Sequence, residues 1–177
     1  MGRDKGSLCV EGQPLLARQL ALARAVGAEE VFISGRPEVD YSQLGYPVLL
    51  DVWRGCGPLG GIERALASAS HKLVLVLAVD LPYLGVNLLK RLVAACADEI
   101  GLVPVCEQRL EPLVALYPST AHPIALSLLE EGRCAAREFA ERCRRRNLIR
   151  MLRFEPVPHD FTDWNTPQDA GSVLSAR

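Results

Sequence analysis

Residues 72–80 read KLVLVLAVD, and from Leu73 to Val79 every residue except Ala78 is leucine or valine. A strand with no polar alternate positions must be covered on both faces, as in sheets sandwiched between helices. The run is far shorter than the roughly 18–20 apolar residues that a membrane span needs. No other apolar run in the chain reaches that length.

The rest of the sequence supplies the covering helices. PLLARQLALARAVGA reads as a helix, with Pro14 suited to its first turn, Leu16, Leu20 and Ala23 on one face, and Gly27 able to end it. EVFISG and YPVLLD are short strand candidates, and GPLGGIERALASAS starts on glycines and becomes helical. LLKRLVAACADE reads as a helix, IGLVPV and LVALYP as strands, PIALSLLEEG and AAREFAERCRRR as helices, and LIRMLRFEP as a late strand. TPQDAGSVLSA reads as a closing helix, capped by Thr166 with Pro167 at its first position. This alternation predicts a three-layer α/β/α domain with a mostly parallel sheet and KLVLVLAVD as a central strand. Ligands in such sheets sit beyond the carboxyl ends of the strands.

Composition narrows the function classes. The 177 residues carry a formal net charge of -1, with 49% hydrophobic and 23% charged residues. That balance argues against a protein-wide attraction to nucleic acid or to anionic membrane. The basic stretch RCRRRNLIR has no interleaved aromatics and lies near Glu130, Glu131, Glu138 and Glu141, so it reads as a solvated helix end. Positions 2–7 are polar or glycine, which is unlike a secretory leader. The six cysteines show no C-x-x-C pair and read as reduced thiols in a cytoplasmic protein. His71, His122 and His159 have neither metal-ligand nor triad spacing.

Four places hold polar residues where phosphate chemistry could be done. Asp80 directly follows the apolar run, where a carboxylate needs a partner; a cation held by a triphosphate would serve, and so would a turn or cap. Asp51 ends YPVLLD and precedes the glycine-rich Gly55–Gly61, whose backbone can approach a ligand closely or simply turn into a helix. Lys5, with Arg3, sits in GRDKG, as a point charge for phosphate or as an exposed terminal residue. Asn165 and Asp163 sit in DFTDWNTPQD, just before the last helix, where Asx side chains also cap.

In order and spacing, MGRDKGSL, GPLGGIERAL, VLAVDLPYL, LEPLVALYP and FTDWNTPQD resemble the molybdenum cofactor guanylyltransferases, across nearly the whole chain. The resemblance implies a Rossmann-like nucleotidyltransferase fold. It implies an enzyme that transfers GMP from GTP to the terminal phosphate of molybdopterin and releases pyrophosphate, with Mg2+ as cofactor. It assigns Lys5 and Asp80 catalytic roles and places Lys5, Asp51 and Asp80 at the nucleotide. Asp80 is also implied as the magnesium ligand, and Asn165 as a contact on the molybdopterin side. The implied partners are GTP, molybdopterin and, transiently, proteins that make or accept the cofactor, with neither nucleic acid nor membrane among them.

The match has departures. Asp163 stands where the family often has asparagine, and Ile33 or Ser34 where some members have asparagine. The family also carries an apolar strand and an L-A-G-G-x-S loop ahead of the motif that MGRDKGSL resembles. The expectation is therefore one domain over residues 1–177, truncated at its amino end. Two alternatives stay open: a related transferase using CTP or a sugar phosphate, and a non-catalytic nucleotide- or cofactor-binding protein.

Overall fold

The computed structural model describes residues 6, 8–10, 12–53, 55–96, 99–106, 108–153 and 161. In chain order the elements are β1 (Cys9–Val10), β2 (Gln13–Pro14), α1 (Leu15–Ala25), β3 (Ile33–Gly35), β4 (Val48–Leu50), α2 (Gly57–Ser68) and β5 (Leu73–Leu77). They continue as α3 (Val86–Ala95), β6 (Gly101–Cys106), β7 (Arg109–Leu110), β8 (Val114–Pro118), α4 (His122–Glu130), α5 (Ala136–Arg145) and β9 (Ile149–Arg153). The expected closing helix at TPQDAGSVLSA lies outside the described residues.

The α/β class and its layering are as the sequence predicts, but the strand pairing is mixed. β3 and β4 pair parallel, and so do β6 and β9. β8 lies between β5 and β6 and runs antiparallel to both, and β7 forms a hairpin with β6. The expectation of a mostly parallel sheet is corrected here by connection length. Only residues 107–113 separate β6 from β8, and a parallel crossover needs about a dozen residues or more.

The central strand also differs from expectation. Every residue of β8 is buried, whereas every residue of β5 is only partly so. Among the described residues β5 pairs with β8 alone. β8 shows the three layers directly, because its residues alternate between two cores. Ala115 and Tyr117 pack with Leu59 and Ile62 of α2, Leu128 of α4 and Phe139 of α5. Val114 and Leu116 face the other way, toward Leu88, Leu89 and Leu92 of α3. Tyr117 and Phe139 meet with ring centroids 4.9 Å apart, and the Tyr117 hydroxyl donates to the Pro112 carbonyl at 2.9 Å. A buried tyrosine needs that partner for its polar end.

On the α3 side, the Gln19 side chain of α1 donates to the Leu81 carbonyl at 2.9 Å, which ties α1 to the turn after β5. The amino ends of β3 and β5 are held together by a polar clasp. Glu30 accepts from the Ser70 amide and hydroxyl, both at 2.9 Å. The His71 ring nitrogens lie 3.2 Å from Glu29 and 3.4 Å from Glu30. The basic helix end is paired as well: Arg142 donates to Glu131 at 3.1 and 2.8 Å, and Arg144 to Glu141 at 2.9 Å. Arg142 and the Ser127 hydroxyl hold the Glu131 carboxyl down at about 2.

The clasp makes stability depend on pH in a defined direction. Bonds to Glu29 and then Glu30 raise the His71 pKa above 6.5. Bonds from the Ser70 amide and hydroxyl, more than from His71, lower the Glu30 pKa below 4.5. The His71 contribution is complete below 6.5 and is lost as pH climbs through the raised value. The Glu30 contribution is complete above 4.5 and is lost as pH falls through the lowered value. The clasp should therefore be strongest between about pH 4.5 and 6.5. The melting-temperature deficit of His71→Gln should be largest in that window and vanish in alkaline buffer. A deficit independent of pH would show that the histidine acts through packing alone.

Candidate active site

Of the candidate site residues singled out in the sequence, two lie among the described residues, at the carboxyl ends of β4 and β5. Asp51 follows β4, α2 begins at Gly57 after a glycine-rich turn, and Asp80 follows β5. Gly55 and Gly57 both adopt φ of 79° and 55°, a left-handed conformation that costs glycine nothing. Pro58 occupies the first turn of α2, where a missing amide hydrogen is harmless. No acidic residue lies in that first turn, whose amides have no partner within the helix.

Two glycines let α2 sit this close. A Cβ on Gly60 would collide with the Asp51 carboxylate, and one on Gly61 would collide with the Ser34 hydroxyl. Asp51 Oδ1 accepts from the Trp53 amide at 2.8 Å, which fixes the carboxylate against the helix. Asp80 is half-buried and lines a large cleft together with Ser34, Pro58 and Gly61. Asp51 is not in the wall of that cleft; its carboxylate lies against Gly60. Lys5 and Asn165, together with Arg3 and Asp163, lie outside the described residues.

Sequence reasoning missed a buried polar group beside this site. Glu63 of α2 is only 5% exposed, and its carboxylate sits between two elements. One oxygen accepts from the Trp53 indole at 3.3 Å, and the other lies 2.7 Å from His122 Nε2 at the start of α4. Burying a carboxylate costs heavily without such partners. The signal was present in the sequence: Leu59, Ile62, Glu63 and Leu66 share one helix face, and three of the four are apolar. An acid on that face demands a polar neighbour. Trp53 thus links Glu63 to the turn that carries Asp51.

The expectation of unlinked thiols is also corrected. Cys56, just before α2, forms a disulfide with Cys134 in the loop between α4 and α5, with Cα atoms 4.8 Å apart. The two lie 78 residues apart in sequence, so no local spacing rule could pair them. Cys96 and Cys143 keep their thiols, and burial pushes the Cys143 thiol up to about 12.

A family model described as the MobA-like NTP transferase domain matches residues 1–147. The chain belongs to the MobA-like NTP transferase family. A relative from Opitutus terrae, named "Probable molybdenum cofactor guanylyltransferase", is 34% identical over 173 residues, covering 96% of this chain and 86% of its own length. Two solved structures share the family's Rossmann-like architecture. Molybdopterin-guanine dinucleotide biosynthesis protein A from Archaeoglobus fulgidus superposes with a TM-score of 0.70 at 20% identity, over 97% of this chain and 89% of that one. The 2-C-methyl-D-erythritol 4-phosphate cytidylyltransferase from Thermus thermophilus superposes with a TM-score of 0.74 at 22% identity, over 96% and 91%.

The glycine contacts give a direct test of the site's construction. Gly60→Ala must displace the Asp51 carboxylate from the Trp53 amide and should cost about 1–3 kcal/mol in denaturant unfolding. Gly61→Ala asks only the Ser34 hydroxyl to turn away and should cost less. The reverse order would mean that Asp51 is not held as described.

Proposed function

We propose that this chain is a molybdenum cofactor guanylyltransferase, moving GMP from GTP to the terminal phosphate of molybdopterin. The observation that carries this reading is the family match over residues 1–147, joined to relatives of that name across nearly the whole chain. The geometry is compatible with it. Asp80 follows β5 and lines a cleft with Pro58 and Gly61 of α2, and the glycine-rich turn joins Asp51 to the start of α2.

In the proposed reaction an oxygen of the molybdopterin phosphate attacks the α-phosphorus of GTP. The bond from that phosphorus to the bridging oxygen breaks, and pyrophosphate leaves with the electron pair. The nucleophile is already ionised at neutral pH, so the chain need not supply a base. Its task is positioning and charge stabilisation. In this reading Lys5 neutralises the phosphates, Asp51 and Asp80 hold the nucleotide side, and Asn165 contacts molybdopterin.

Asp80 also suits magnesium. Magnesium in such enzymes is held by one or two carboxylates plus substrate phosphates, not by a cage of protein ligands. Asp80 would be such a carboxylate after β5; among the described residues no group of three His, Cys, Asp or Glu side chains is arranged to hold a metal by itself. When bound, the ion would supply charge neutralisation at the triphosphate. The Glu63–Trp53 bond would keep the Asp51 turn in register meanwhile.

We place the reaction in the cytoplasm, where GTP is available. No described helix is long and apolar enough to cross a membrane. Transient contact with proteins that make or accept the cofactor would hand on the product.

A second reading, transfer from CTP, is favoured by the cytidylyltransferase superposition at a TM-score of 0.74. Turnover with GTP and with CTP in parallel separates the two, and turnover with neither would favour a binding protein. For the site, Asp80→Asn should lower magnesium-dependent transfer at least ~100-fold while circular dichroism and melting temperature stay unchanged. Undiminished transfer in that variant would refute the role given to Asp80.

A further inference from the structure

Gln19 interrupts the apolar face of α1. It stands four residues after Leu15 and three before Leu22, so the three share one side of the helix. Leu15 is fully buried, and Gln19 is only 4% exposed. Leu22 packs against the cluster formed by Leu81, Leu84, Leu88 and Leu89. Leucine in place of Gln19 would suit these surroundings better. The side-chain oxygen of Gln19 is buried without a hydrogen-bond partner among the described residues, a cost that an apolar side chain would avoid. What the glutamine offers instead is one donor, Nε2, which reaches the Leu81 carbonyl at 2.9 Å.

That carbonyl lies one residue past Asp80. It belongs to the peptide bond between Leu81 and Pro82, and the proline has no amide hydrogen. The Leu84 amide reaches the same oxygen at 3.4 Å, which is long for a hydrogen bond, so Gln19 makes the shorter one. On the other side of Asp80, the Ala78 amide donates to the Leu113 carbonyl at 2.7 Å. Asp80 therefore lies on a short span of backbone pinned at Ala78 and at Leu81. Burial of the Leu81 and Leu84 side chains also anchors this turn, but apolar packing has no direction. A hydrogen bond fixes the rotation of the peptide plane, and with it the aim of the neighbouring side chain.

We propose that Gln19 is a positioning residue for Asp80, whose carboxylate it aims, through the Leu81 carbonyl, at the metal and phosphates of a bound nucleoside triphosphate. The inference rests on the role given to Asp80 in the proposed function. A buried amide kept at a packing cost beside a site residue is the kind of local conflict that function imposes on a stable core. Its effect on rate should exceed its effect on stability, because a misplacement of one ångström at a reacting centre can cost about 100-fold.

The test is Gln19→Leu in the full chain, with Gln19→Met as a second variant that keeps the length of the side chain. Gln19→Leu should keep or raise the melting temperature. It should weaken Mn2+-dependent GTP binding, followed by water proton relaxation, and slow magnesium-dependent transfer, each by about tenfold or more. In an Asp80→Asn background the same substitution should add no further loss, because both changes act on one group. A purely structural residue would lower melting temperature and activity together in both variants, and its loss would add to that of Asp80→Asn. Either result would overturn the proposal, and so would unchanged binding and transfer. Mn2+–GTP binding that depends on both Gln19 and Asp80, in a chain that transfers neither GMP nor CMP, would sink the transferase reading and support this inference. A chain that neither binds Mn2+–GTP nor transfers would overturn both.

Discussion

β8 is the strand on which the rest of the molecule depends. It is buried along its whole length, it pairs on both edges, and its side chains serve two cores in alternation. Removing bulk from Tyr117 would open the α2–α4–α5 layer, and removing it from Leu116 would open the α3 layer. Its direction follows from seven connecting residues, which leave no length for a crossover. The antiparallel step it forces is what places β5 on one side of it and β6 with β9 on the other.

That dependence explains how much was legible in the sequence. The layers were legible because the apolar run of β5 and the periodic faces of α1, α2 and α5 each report their own burial. Pairing direction was less visible, although the short CEQRLEP connection held the clue. Centrality was misread because β5 has the purer apolar composition, while β8 carries an alanine, a tyrosine and a closing proline. Burial is decided by neighbours in space, and a strand's own letters report only what it can tolerate.

The site divides in the same way. Asp51, the glycine-rich turn and Asp80 announced themselves as polar or flexible residues at strand ends, and the fold places Asp51 after β4 and Asp80 after β5. Glu63 and His122 did not, because their meaning is a contact across 59 residues of sequence. Their effect is to brace Trp53, whose own amide fixes Asp51. A residue that binds nothing can thus decide the aim of one that does.

The disulfide between Cys56 and Cys134 has a topological consequence. It closes a covalent ring that contains α2, β5, α3, β6, β7, β8 and α4. While it is intact, a single backbone cut anywhere from residue 57 to residue 133 yields no separate fragment. The hairpin turn around Gln108, whose positive φ of 67° marks a sharp exposed bend, lies inside that ring. A protease that nicks there would leave a chain of unchanged mass except for one added water. Its two halves would stay joined until the bond between the sulfurs is reduced.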